Sequence, residues 1–128
     1  MNFLAVFIGG GLGSVARYSV GLLVSQLNGQ PPWTTLISNV LATILLMYFL
    51  AIFQPGDEAM NPKSRALFLL LTIGFCGGFS TFSTFAMDTI QLWNAQGWLW
   101  AGMNVVSNLL LCVGLGYWIW HLTHGTAH

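Results

Sequence analysis

Residues 74–85 read GFCGGFSTFSTF, a stretch in which Phe-Ser-Thr occurs twice in succession behind a pair of glycines. At a period of three, Phe79, Phe82 and Phe85 fall on one helix edge. Ser80 with Ser83, and Thr81 with Thr84, form neighbouring hydroxyl rows, and Asp88 continues the threonine row one turn on. An aromatic ring has a negative face and a positive edge. Ring edges beside O–H donors offer positive partial charge without a full charge, which is what replacing the hydration of a small anion without trapping it requires. The competing reading is packing, with phenylalanines facing lipid or neighbours and hydroxyls bonded back to their own helix. The regular interleaving keeps both readings open.

Two other segments carry polar groups of the same kind. The second apolar run holds Thr34, Thr35, Ser38, Asn39 and Thr43, of which Thr35, Asn39 and Thr43 are one turn apart and form a polar stripe. Asn39 offers an NH₂ donor and a carbonyl acceptor, usable for an interhelical hydrogen bond or for a passing ligand. The first run reads GGGLGSVARY from Gly9 to Tyr18. Gly9 with Gly13, and Gly10 with Ser14, are small-xxx-small pairs that let a second helix approach, and packing is their simplest role. Arg17 either snorkels to the interface or lines a wet vestibule that attracts anions.

The elements that must hold these groups follow from composition. The chain has 128 residues, 55% hydrophobic and 5% charged, with three Lys or Arg against three Asp or Glu. Mean hydropathy is +0.73. A soluble domain has roughly a quarter of its residues charged, so six charged side chains cannot clothe a water-exposed surface. Four apolar runs stand at about 3–25, 33–53, 66–90 and 97–120, each long enough to cross a hydrocarbon core of roughly 30 Å. The fold class is therefore an all-α integral membrane protein, one four-helix domain over 1–128. Its connectors are Gln26 to Pro32, Gln54 to Arg65 and Gln91 to Gln96. No Lys or Arg precedes the first run and Arg17 interrupts it, so it reads as a retained helix rather than a signal peptide. Gly77-Gly78, near the middle of the third run, predicts a break there. A break at membrane depth frees main-chain groups and is tolerated where they are buried in protein or line a polar cavity, a common way to build ion sites.

Orientation is weakly specified. Lys63 and Arg65 lie on the side of both termini, and Arg17 lies toward the other. That balance fits either insertion in both orientations, with two opposed copies pairing, or one orientation set by a slender bias. Cys76 and Cys112 fall inside spans and read as small buried hydrophobes. His121, His124 and His128 form an incidental terminal cluster.

The GGGLGSVARY segment, the second-helix Asn and GFCGGFSTFSTF together resemble the Fluc family of microbial fluoride channels, also called CrcB proteins, over the whole chain. The resemblance implies a passive fluoride-selective channel exporting fluoride through two pores, in a dual-topology antiparallel homodimer of the bacterial inner membrane. It implies a fluoride path at Phe82 and Phe85, with Asn39, Ser83 and Thr84 beside it and Arg17 and Asp88 as vestibule charges. It also implies a structural Na⁺ at the dimer centre on the main-chain carbonyls of Gly77 and Ser80, and no organic cofactor. Ser80 stands where the family usually has Thr, and Asp88 where Glu is commoner. The fourth helix lacks the family's Tyr followed by Ser. Either Met103 with Ser107 or Asn104 with Asn108 would take those places.

Other classes fit less well. A proton-coupled cation exporter needs a membrane-embedded carboxylate, and the first two helices contain no Asp or Glu. An enzyme would need a nucleophile with its base, or a metal cluster, and nothing suggests either. There is no basic patch for nucleic acid. A nonconducting scaffold would explain the glycines and leave the Phe-Ser-Thr repeat without a purpose.

Overall fold

The computed structural model describes residues 2–53 and 60–124, the last without its side chain. Four helical stretches are long and apolar enough to cross a membrane: Asn2–Gln26, Pro31–Phe53, Pro62–Gln96 and Trp98–Thr123. The distribution of side chains is that of a protein dissolved in lipid. Most buried positions are small or polar, including Thr35, Ser38, Thr72, Asp88, Asn104 and Asn108, while Phe3, Phe7, Trp33, Phe82, Trp98 and Tyr117 are exposed. Apolar outside and polar inside is stable only where the solvent is itself apolar.

Local chemistry fixes the helix ends. The first helix stops where Asn28 adopts a left-handed φ of 56° and the Gly29 amide donates to Val24 O at 2.8 Å, a closing turn of the kind that ends helices. The second begins on Pro31, whose lack of an N–H costs nothing in a first turn. Asn61 caps the third by accepting from the Ser64 amide at 2.8 Å, with Pro62 next. The expected third connector, Gln91 to Gln96, is helical instead. Hydropathy fades there, but no breaker occurs before Gly97, which turns the chain at φ 93°. Residues 54–59 of the second expected connector lie outside the described residues, and Pro62–Arg65 already belongs to the third helix.

The third span is irregular. An α-helical start, Pro62–Leu69, widens into a π-helix over Leu70–Cys76 and finishes with one α-turn, Gly77–Phe79. The break expected at Gly77-Gly78 is not there. Gly77 has helical dihedrals, φ −65° and ψ −37°, whereas Ser80 (φ −75°, ψ 157°) and Thr81 (φ −153°, ψ 115°) are extended. Helix resumes over Phe82–Gln96.

Close packing explains four of the glycines, Gly9, Gly13, Gly74 and Gly78. A Cβ on Gly9 would collide with Leu70 O and sit 2.9 Å from Phe75 N; one on Gly13 would collide with Phe75 O. A Cβ on Gly74 would lie 2.9 Å from Gly9 Cα, and one on Gly78 would strike Gly10 O. The first helix and the first half of the third span thus meet backbone to backbone, through glycines on both sides. Gly74, which composition alone did not single out, forms a small-xxx-small pair with Gly78 on the facing span.

Candidate functional site

Two consecutive extended residues deprive the helical main chain of its internal partners, and the side chains around Ser80 and Thr81 replace them. In an unbroken helix the Thr81 amide would donate to Gly77 O; here it donates to Asn39 Oδ1 at 2.8 Å. The Thr84 amide, whose helical partner would be Ser80 O, donates to Thr81 Oγ1 at 3.2 Å, which makes Thr81 the N-cap of the second half. Thr81 Oγ1 also lies 3.1 Å from Thr84 Oγ1 and 3.2 Å from Ser83 Oγ. Gly78 O, one turn before the missing Phe82 amide, accepts from Arg17 Nε at 3.3 Å. The hydroxyls of Thr81, Ser83 and Thr84 therefore gather at the restart of the helix, where Thr81 caps its first turn.

The break also divides the expected aromatic row. Phe79 lies before it, 4% exposed, with its ring 5.7 Å from Phe75. Phe82 and Phe85 lie after it, their ring centroids 5.5 Å apart at 49°. Phe82 is 79% exposed and Phe85 is half-buried. The three-residue period holds only from Phe82 onward, since the extended pair rotates Phe79 out of register, and Ser80 likewise leaves the row of Ser83.

A concavity of about 380 Å³ opens beside the break, lined by Ser14, Arg17, Tyr18, Thr34, Thr35, Thr81 and Thr84 among others. It combines one guanidinium with five hydroxyl-bearing neighbours of Ser or Thr type. Asp88 does not line it; the carboxylate is 2% exposed and accepts from Thr35 Oγ1 at 2.5 Å. Arg17 is half-buried and turned inward to Gly78, so a snorkelling pose is not the one observed.

The fourth helix presents its two candidate pairs on different faces. Asn104 and Asn108 are buried, 8% and 5% exposed, and reach toward Asn39, Asn108 accepting from Asn39 Nδ2 at 3.3 Å. Met103 and Ser107 are exposed or half-buried and line an outer groove of about 580 Å³ with Trp33 and Trp100, which Asn104 also borders, and Ser107 Oγ donates back to Met103 O at 2.7 Å. Thr89, not singled out by its spacing, accepts from Asn104 Nδ2 at 2.9 Å. The i, i+4 spacing of Asn104 and Asn108 was the available signal for this inward polar face.

Gly77 and Ser80 line a further concavity of about 360 Å³ with Thr43, Thr72 and Cys76. Among the described residues no group of three His, Cys, Asp or Glu gathers to hold a metal. Cys76 and Cys112 carry free thiols. Of the terminal histidines, His121 holds its ring 6.0 Å from Tyr117; the side chain of His124 and the whole of His128 lie outside the described residues.

Residues 4–119 match the family described as "CrcB-like protein, Camphor Resistance (CrcB)". A Rhodospirillum rubrum protein named fluoride-specific ion channel FluC is 35% identical over 123 residues, 95% of this chain and 93% of its own. A protein of the same name from Serratia proteamaculans is 39% identical over 108 residues, 84% of this chain and 82% of its own. Another, from Shewanella sp. (strain ANA-3), is 38% identical over 117 residues, 91% and 90% of the two chains.

Proposed function

The chain belongs to the CrcB-like family, and from that premise we propose that it is a passive fluoride-selective channel, not an enzyme. Its relatives' names supply the ion, and one observation carries the reading to this chain's own residues. At the break, donors without full charge converge: the Asn39 amide, the hydroxyls of Thr81, Ser83 and Thr84, and the paired rings of Phe82 and Phe85. Fluoride holds its water tightly, so a path must offer short, strong partial-positive contacts while releasing the ion again. The Arg17 concavity would gather anions and begin dehydration; Phe82 and Phe85 ring edges with the Asn39 NH₂ would carry the ion on. The ion's own gradient drives flow out of the cytoplasm across the bacterial inner membrane.

The assembly in this proposal is a dual-topology antiparallel homodimer with two pores. Supporting it are the 79% exposure of a proposed pathway residue, Phe82, and the near-balance of Lys63 and Arg65 against Arg17. A central Na⁺ fits the residues present. The amides that would pair with Gly77 O and Ser80 O are committed to Asn39 and Thr81, leaving hard carbonyl oxygens at a site where a Cβ on Gly77 would meet nothing within 4 Å. Two carbonyls from each of two chains would hold the ion, which would neutralise main-chain dipoles at the centre.

The test is halide efflux from liposomes containing the purified protein, loaded with fluoride or with chloride and clamped with valinomycin. Rapid fluoride release with little chloride release is expected. Folded protein that releases neither ion overturns the proposal.

A further inference from the structure

Five consecutive hydrogen bonds run from the break through the fourth helix and back to the same half-helix. The Thr81 amide donates to Asn39 Oδ1 at 2.8 Å, and Asn39 Nδ2 to Asn108 Oδ1 at 3.3 Å. Asn108 Nδ2 donates to Asn104 Oδ1 at 3.2 Å, Asn104 Nδ2 to Thr89 Oγ1 at 2.9 Å, and Thr89 Oγ1 to Phe85 O at 2.7 Å. Every donor points the same way along the chain of bonds.

The two ends of this relay are main-chain groups. An N–H cannot accept and a C=O cannot donate, so the direction of all five bonds is fixed. A carboxamide turned end for end at Asn39 would set its NH₂ against the Thr81 N–H and its oxygen against Asn108 Oδ1, two repulsive contacts in place of two bonds. With Asn108 nearly sealed from water, solvent would not relieve the mismatch at its Oδ1. The bond at Asn39 Oδ1 also polarises the amide, making the N–H of Nδ2 that Asn108 leaves over a stronger donor.

We propose that Asn104, Asn108 and Thr89 are positioning residues that lock the Asn39 carboxamide with its NH₂ presented as an anion donor, acting on the ion only through Asn39. The relay starts at the residue before Phe82 and ends on the carbonyl of Phe85, so one network sets the amide and both ring-bearing segments together. The inference rests on the fluoride-channel reading for its consequence, but its geometry has a separate readout.

The experiment uses the full-length protein and two measurements. One is fluoride efflux per folded protein in liposomes; the other is the side-chain ¹⁵N–¹H₂ signal pair of Asn39, identified by its loss in Asn39→Ser. Thr89→Val removes the relay's last donor and acceptor at nearly constant volume. Fluoride efflux should slow about tenfold, the scale of one misplaced hydrogen bond, and the Asn39 signals should shift or double. Thr89→Ser keeps the hydroxyl and should restore both. Should Thr89→Val fail to fold, Asn108→Ser cuts the relay nearer Asn39 and is read the same way. A purely structural role would lower yield or melting temperature while leaving efflux per folded protein and the Asn39 signals unmoved, and that result overturns the proposal. Wild-type protein that releases no fluoride would instead overturn the channel reading, with the Asn39 signals still reporting on the relay.

Discussion

At the scale of single residues, the ring edges and the Asn39 amide make separable claims. Phe82→Ile and Phe85→Ile keep bulk and apolarity but remove the positive ring edge. Each should cut fluoride efflux by about tenfold or more, with folding intact; wild-type efflux in both variants would remove the rings from the path. Asn39→Asp is nearly isosteric and retains an oxygen for the Thr81 amide, so the break should keep its cap. It loses the NH₂ and places a carboxylate where an anion must pass, and fluoride efflux should fall by about a hundredfold or more. Normal efflux there would show that Asn39 serves the fold alone. The sequence made these residues visible because hydroxyls, an amide and a guanidinium inside lipid-length runs are costly without partners. It could not show that Asn39 spends its oxygen on a main-chain amide 42 residues away. Nor could it single out Thr89, whose part depends on which helix faces which.

At the scale of elements, hydropathy located all four spans, yet the glycine pair misplaced the break, because glycine has two uses and the sequence does not say which is in force. Gly78 is needed for its small size against Gly10 O, and its backbone remains helical. Breaking the helix took only extended dihedrals at Ser80 and Thr81, which any residue adopts, plus a hydroxyl to cap the restart. The glycine seam itself is testable. Gly13→Ala puts a methyl into Phe75 O and 2.8 Å from Phe79 N, main-chain atoms that cannot swing aside. The first helix must then withdraw from the segment carrying the break. Loss of about 2–4 kcal/mol of stability is expected, in the range of overpacked or forced-apart cores, read as a lower melting temperature in detergent. Gly11→Ala, where a Cβ meets nothing within 4 Å, is the matched comparison and should leave the chain's own stability unchanged or slightly raised.

At the scale of the whole molecule, the proposed pathway residue Phe82 stands exposed, so the proposal requires a second chain to cover it. Reporter tags fused at the C-terminus and readable from one side only should find copies facing both ways; a single orientation would exclude an antiparallel pair. A sharper test uses Gly77. Its dihedrals are helical and nothing within 4 Å would meet its Cβ, so within one chain alanine is harmless and by helix propensity should stabilise by about 0.5–1 kcal/mol. If two chains pack across this surface around a cation held by Gly77 O and Ser80 O, the same methyl would sit at the centre of the assembly. Gly77→Ala should then preserve helicity and melting of the monomer while lowering the dimer fraction, measured by fluorescence transfer between labelled chains across a range of protein-to-lipid ratios. Fluoride efflux should fall in proportion to the lost dimer. A Gly77→Ala protein that dimerises and conducts like the wild type would place the interface elsewhere on the molecule, since the chain itself supplies no reason for glycine at this position.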